Sequence, residues 1–142
     1  PSSEYFMHRI FYRDRDDVGA VVHAHSTYSA TLAALHWEIE PIHYLIGYAG
    51  KNVRCAPYEL FGTEKLAKEA LEAMEDRNAC LLANHGLLAI GGTIEYAFDT
   101  AEEIEFVAEL YYKAKCVGEP IPLKSEEMDE FLEKFKPYGK KL

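Results

Sequence analysis

The sequence has few cysteines and no long apolar run, and no segment concentrates its positive charge. Only three of the 142 residues are cysteine, and none forms a Cys-x-x-Cys pair, which argues against a zinc ribbon or a disulfide scaffold. No apolar run reaches the length of a membrane span. The fifteen lysines and arginines are scattered through a chain of net charge −9, whereas nucleic-acid binders cluster their cations. We therefore expect a protein of the reducing cytoplasm that binds neither membranes nor nucleic acid.

The amino-acid composition is typical of one folded domain. Hydrophobic residues make up 49% of the chain and charged residues 27%, and a chain of this length has enough residues for one sizeable core. Apolar runs predict strands at residues 19–25, 42–49, 79–83 and 87–90. Helical spacing predicts helices at residues 2–13, 26–35, 63–74, 94–111 and 124–136, with a polar tail from Pro137. This alternation indicates a sheet covered by helices.

His23 and His25 form the first candidate site. They are two residues apart in a predicted strand, so their side chains leave the same face of the sheet and can converge on one cation. By itself a His-x-His pattern is weak, and two unconnected histidines explain it equally well. Thr27 stands where a His-x-His-x-Asp hydrolase has its acid, and no glutamate follows at the spacing of a cupin.

His85 adds a third imidazole. It interrupts two apolar runs and precedes Gly86, so we expect it at the end of the sheet, where sites tend to form. The alternative is a loop histidine that caps a turn. Three imidazoles together fit the three protein ligands and one open position of a catalytic zinc ion.

Glu4 lies at the start of the first predicted helix, beside Ser2 and Ser3. An acid in a first turn commonly does no more than complement the helix dipole. The two hydroxyls, however, lie beside the free N–H groups of a helix terminus, which is a favourable position for a phosphate group. A metal-competent carboxylate next to a phosphate site suits a phosphorylated substrate.

Six sequence blocks, in order, resemble the class II aldolase family, and within it the L-fuculose-1-phosphate aldolases. They are PSSEYFMH at 1–8, AVVHAHS at 20–26, IHYLIGYAG at 42–50, CAPYELFGT at 55–63, LLANHGLLAIG at 81–91 and FLEKFKPYG at 131–139. The resemblance implies an α/β fold whose central, mainly antiparallel sheet has helices on both faces. It implies a single class II aldolase and adducin-head-type domain over residues 1–142, without the family segment that precedes the PSSE block.

The resemblance also implies roles for particular residues. It implies one Zn²⁺ per subunit with four protein ligands: Glu4, His23, His25 and His85. Ser2 and Ser3 would help to bind the substrate phosphate. Glu4 would also transfer a proton as the catalytic base, Tyr44 would donate a proton to the aldehyde oxygen, and Tyr138 would reach an active site shared between subunits of a homotetramer. From sequence pattern alone, each of the ten tyrosines is more readily structural than catalytic.

The implied function is that of a zinc-dependent aldehyde-lyase. It would cleave a ketose 1-phosphate of the L-fuculose 1-phosphate type to dihydroxyacetone phosphate and a small aldehyde such as lactaldehyde. One alternative is an L-ribulose-5-phosphate 4-epimerase, although those enzymes usually have aspartate where this chain has Glu4; a related sugar-phosphate lyase or dehydratase is another. A non-catalytic adducin-head-like binding module is the alternative from a different class, and retention of the four metal ligands argues against it.

Overall fold

Four short strands form one mixed sheet with the order β1-β4-β3-β2. The structure is a computed structural model that describes the backbone of residues 2–139 and the side chains of residues 2–136. The strands are β1 (Ala20–Ala24), β2 (Arg54–Ala56), β3 (Ala79–Leu82) and β4 (Gly86–Gly91). β4 pairs antiparallel with both β1 and β3, and β2 pairs parallel with β3. The α/β fold with a mainly antiparallel sheet is therefore confirmed.

Helices cover both faces of this sheet. They are α1 (Tyr5–Asp14), α2 (Thr27–Ala34), α3 (Glu64–Ala73), α4 (Ile94–Val117) and α5 (Ser125–Gly139). Side chains alternate along β4, so that Leu87 and Ala89 pack with α2 and α4, whereas Leu88 and Ile90 pack with α1 and α3. Each face thus carries its own apolar core. Among the described residues, no helix is both long enough and apolar enough to cross a membrane.

The predicted strand at residues 42–49 is wrong. The segment instead forms a 3₁₀ helix, Tyr44–Tyr48. Its Gly47 lies directly under α5, where a Cβ atom would come within 2.1 Å of the Phe131 ring. The run is apolar because α5 and the core enclose it, and burial alone does not distinguish a strand from a helical turn.

Two further boundaries differ from the sequence prediction. The three-residue strand β2 was not predicted, because so short a segment carries no measurable alternation. α5 continues through Pro137 to Gly139, where a polar tail was expected. A proline removes one backbone hydrogen bond and crowds the preceding turn, and α5 ends two residues after Pro137 instead of before it.

Candidate metal centre

Three histidines from two places in the chain meet at one end of the sheet. His23 lies in β1, His25 follows that strand, and His85 lies in the turn between β3 and β4. One ring nitrogen from each histidine falls in a group whose members all lie within 4.8 Å of one another. His23 and His25 leave the same face of β1, as their spacing predicted, and antiparallel pairing of β1 with β4 brings His85 beside them.

His23 has the hydrogen bond that prepares an imidazole to bind a metal. Its Nδ1 donates to the Leu87 carbonyl oxygen at 2.9 Å, which leaves Nε2 as the unprotonated nitrogen. That Nε2 lies 3.0 Å from His25 Nε2, so both nitrogens face the same point. Burial lowers the pKa of His23, an effect opposed by the bond to Leu87 and reinforced by the neighbouring His85 and His25. The lowered pKa favours the neutral form of His23, which is the form that binds a metal.

Glu4 reaches the same point from the start of α1. β1 turns Val21 and His23 to the face that packs with α1, so the N-terminus of this helix lies beside the histidines. The Glu4 side chain is buried, and its Oε1 lies 3.9 Å from His85 Nε2. Burial lowers the pKa of His85, and the Glu4 carboxylate partly opposes that effect. Three imidazoles and one carboxylate are the ligand types that zinc accepts, so the residues present fit that ion.

Two neighbours fix the position of Glu4. The Gly62 N–H donates to Glu4 Oε2 at 3.2 Å, and Gly62 has a φ of +73°, which favours glycine. Ser2 Oγ accepts a hydrogen bond from the Glu4 N–H at 3.1 Å. The Glu4 side chain makes no capping hydrogen bond to its own helix, although it occupies the N-cap position. Its carboxylate is thus directed into the site instead of to the helix terminus.

The turn that carries His85 is held in an uncommon conformation. Asn84 has a φ of +54°, its N–H donates to the Ala33 carbonyl oxygen, and its side chain bonds to His36 Nε2 at 2.6 Å. On the other side of the turn, Gly86 lies so close to β1 that an added Cβ would be 2.4 Å from the Ala24 carbonyl oxygen. These contacts determine where His85 emerges from the hairpin.

A cavity of about 300 Å³ opens beside the histidines and Glu4. Its lining residues are Ser3, Glu4, His25, Tyr58, Glu59, Phe61, Asn84 and His85. The segment Tyr58–Phe61 was not assigned to the site from sequence pattern, because no spacing of its residues indicates a ligand. Glu59 forms an ion pair with Lys65 at 2.6 Å, so its negative charge at the cavity is partly offset. The cavity has the size of a small-molecule site.

The remaining predicted residues differ in where the structure places them. Ser2 and Ser3 are both exposed, and of the two only Ser3 lines the cavity. Tyr44 does not line this cavity, and its ring lies against His43 and Phe131, at centroid separations of 4.7 and 5.4 Å. Its expected position in a strand is wrong, since it begins the 3₁₀ helix. The side chain of Tyr138 lies outside the described residues.

The chain is similar to several known proteins. The family model described as "Class II Aldolase and Adducin N-terminal domain" matches residues 1–112. A 5-deoxy-D-ribulose 1-phosphate aldolase of Bacillus thuringiensis serovar kurstaki is 55% identical over 139 residues, which are 98% of this chain and 65% of that protein. An L-fuculose phosphate aldolase of Escherichia coli K12 is 42% identical over 141 residues, 98% of this chain and 66% of that protein.

The chain is also similar to a solved structure in three dimensions. An L-fuculose 1-phosphate aldolase superposes with a TM-score of 0.94 and 50% sequence identity, over 96% of this chain and 64% of that chain. The chain therefore spans about two thirds of the length of the relatives that it matches.

Proposed function

Because the chain belongs to the class II aldolase and adducin N-terminal domain family, we propose that it forms the metal centre of an aldehyde-lyase acting on a sugar phosphate. The observation that carries the proposal is the cluster of three imidazole nitrogens beside a cavity that His25, His85 and the buried Glu4 line. We propose His23, His25, His85 and Glu4 as the ligands of one Zn²⁺ per subunit. Retention of this cluster argues against a non-catalytic binding module.

The proposed substrate is a ketose 1-phosphate, cleaved to dihydroxyacetone phosphate and a small aldehyde. The sequence blocks favoured L-fuculose 1-phosphate, for which the aldehyde is lactaldehyde. The relative named for 5-deoxy-D-ribulose 1-phosphate has the higher identity of the two curated relatives compared above, 55% against 42%. We therefore add 5-deoxy-D-ribulose 1-phosphate as the first substrate to test. Three free cysteines agree with the proposed cytoplasmic location.

Cleavage of the carbon–carbon bond leaves negative charge on the ketone fragment, and protons must move at a carbon and at a hydroxyl oxygen. A bound Zn²⁺ would supply Lewis-acid stabilisation of that charge. Glu4 is well placed to move the proton at carbon, because Gly62 fixes one of its oxygens and the other faces the histidines. General acid–base catalysis of this kind contributes roughly 10²–10⁴-fold.

The phosphate would bind near the start of α1. Ser3 lines the cavity beside Glu4, and the free N–H groups of the helix terminus favour an anion there. Ser2 Oγ already accepts the Glu4 N–H, so we propose that Ser2 chiefly supports Glu4 and that Ser3 contacts the phosphate. Binding energy from the phosphate acts at a distance from the reacting carbons.

Tyr44 and Tyr138 remain the proposed partners of the aldehyde fragment. Since Tyr44 does not line the cavity of its own chain, a role as proton donor requires an active site shared between subunits. We accordingly propose a homotetramer with active sites at subunit interfaces.

The test is release of dihydroxyacetone phosphate by the purified protein. It would be offered 5-deoxy-D-ribulose 1-phosphate, L-fuculose 1-phosphate and L-ribulose 5-phosphate in parallel, each with and without a chelator. We expect chelator-sensitive release from a ketose 1-phosphate, and a loss of at least about 10²-fold in Glu4→Gln and His25→Ala. Glu64→Gln, an exposed glutamate in the first turn of α3, is the matched control and should retain activity.

Other outcomes of this test contradict the proposal. Epimerised pentulose phosphate without release of dihydroxyacetone phosphate would indicate an epimerase, and loss of water from the substrate would indicate a dehydratase. No turnover of any substrate, together with no bound metal, would favour the binding module.

A further inference from the structure

The first turn of α2, directly after His25, is capped in an unusual way. Ser26 is the N-cap residue, and the side chain of an N-cap serine normally accepts the N–H of the second or third helical residue. Here Ser26 Oγ is buried and has no hydrogen-bond partner among the described residues. The two N–H groups that it would serve belong to Tyr28 and Ser29, and both donate to Glu105.

Glu105 lies in α4, far along the chain from the helix that it caps. Tyr28 N–H donates to its Oε1 at 2.7 Å and Ser29 N–H donates to its Oε2 at 2.9 Å, so both carboxylate oxygens are engaged. Bonds from N–H groups to a carboxylate are about twice as strong as neutral ones, and negative charge is favourable at a helix N-terminus. Ile104 and Val107, in the same turn of α4, are fully buried, which fixes this helix against the sheet. The carboxylate is thus a clamp between α4 and the start of α2.

This clamp acts on the segment that contains His25. The ladder between β1 and β4 ends at the pair Ala24–Leu87, so His25 lies one residue beyond the last paired position. On the far side of His25, the next backbone groups that hydrogen-bond to another described element are those of Tyr28 and Ser29, which bond to Glu105. The direction in which His25 leaves β1 therefore depends on the ladder before it and on Glu105 after it.

We propose that Glu105 is a positioning residue for the metal centre, which it serves by fixing the backbone after His25. Glu105 does not line the cavity, and its described hydrogen bonds go to Tyr28 and Ser29, so its effect passes through the start of α2. The inference rests on the proposed function, because it takes His25 to be a metal ligand. Residues that orient a ligand typically change metal affinity by about 10- to 100-fold when they are replaced.

The test measures metal affinity separately from stability. Zn²⁺ dissociation constants would be determined by competition with a chromogenic chelator, Co²⁺ absorption spectra would report ligand geometry, and the melting temperature would be measured without metal. We expect Glu105→Gln and Glu105→Ala to weaken Zn²⁺ binding at least about 10-fold and to alter the Co²⁺ spectrum. Glu102→Gln, an exposed glutamate on the same helix, should leave both unchanged.

A rescue variant separates positioning from simple helix stabilisation. Adding Ser26→Asp to Glu105→Ala supplies a local carboxylate cap for α2 but not the connection to α4. We expect this double variant to recover the melting temperature while its Zn²⁺ affinity stays low. The single variant Ser26→Asp is the control for the effect of the added charge. Recovery of both properties, or unchanged affinity in the Glu105 variants, overturns the inference alone. Failure of the unsubstituted protein to bind Zn²⁺ overturns the proposed function and this inference with it.

Discussion

Gly86 lies in close contact with Ala24 and with the proposed metal ligand His25. A methyl group at position 86 would occupy the space that this contact requires. A Cβ at Gly86 would lie 2.4 Å from the Ala24 carbonyl oxygen and 3.1 Å from His25 Cδ2. The backbone oxygen has no freedom to rotate away, so we expect Gly86→Ala to reduce stability by about 1–3 kcal/mol. Because His25 must also shift, Zn²⁺ affinity should fall by about 10-fold or more.

Urea unfolding and chelator competition would measure the two effects of Gly86→Ala. Gly118→Ala is the matched control, since no atom of the described residues outside its chain neighbours and helix backbone lies within 4 Å of a Cβ there. The free energy of unfolding of this variant should change by less than about 0.5 kcal/mol. An unchanged Zn²⁺ affinity in Gly86→Ala would show that the close approach of β4 to His25 does not affect the site.

The three cysteines should differ sharply in reactivity, although the sequence gives no reason to separate them. Cys116 is exposed, whereas burial raises the pKa of the Cys55 thiol to about 11 and raises that of the fully buried Cys80 as well. The thiolate is the reactive form, so at about pH 8 iodoacetamide should modify Cys116 well before the other two. Mass spectrometry of peptides from native and urea-unfolded protein would measure this. Rapid native labelling of Cys80 would contradict the packing of β3.

At the scale of elements, Arg54 ties β2 to the end of α3. Its guanidinium donates to the Ala73 and Glu75 carbonyl oxygens at 3.1 and 2.7 Å, and a cation is favourable at a helix C-terminus. We expect Arg54→Ala to lower the free energy of unfolding by about 1–2 kcal/mol in urea titrations. The exposed Lys68→Ala is the control and should change it little. Since these bonds lie away from the cavity, a large loss of Zn²⁺ affinity in Arg54→Ala would contradict the separation of the two regions.

The elements that the sequence predicted well are those with a long periodic pattern or an uninterrupted apolar run. α4 begins at its predicted residue because Thr93 Oγ1 accepts the Tyr96 N–H, and β3 and β4 are buried along their whole length. The segment at residues 42–49 was mispredicted because its burial comes from α5 and the core, contacts that local pattern does not contain. Ser26 shows the same limit: it is the N-cap residue of α2, but the N–H groups that it would serve bond to a distant glutamate.

At the scale of the whole molecule, the sequence predicted that the histidines lie together, but it did not predict all the residues that line the cavity. The spacing of His23 and His25 predicted a shared face, and the break at His85 predicted a sheet end. Tyr58, Glu59 and Asn84 line the cavity only because the tertiary fold brings four separate segments of the chain together. No periodicity of their own marks these residues, so pattern analysis could not have assigned them.

The proposed sharing of sites between subunits leads to a prediction about mixed oligomers. Glu4→Gln and Tyr44→Phe should each lose roughly 10²–10⁴-fold in activity, because each lacks one proton-transferring group. If Glu4 and Tyr44 of one site come from different chains, co-expression of the two variants creates some sites with both groups intact. Random assembly in a symmetric oligomer should restore activity to about a quarter of the unsubstituted level.

The measurement is dihydroxyacetone phosphate release by purified hybrids. Mixtures of Glu4→Gln and His25→Ala are the control, since both residues line the cavity of one chain and the two variants cannot complement each other. Hybrids no more active than the separate variants would exclude a Tyr44 contributed by a neighbouring subunit.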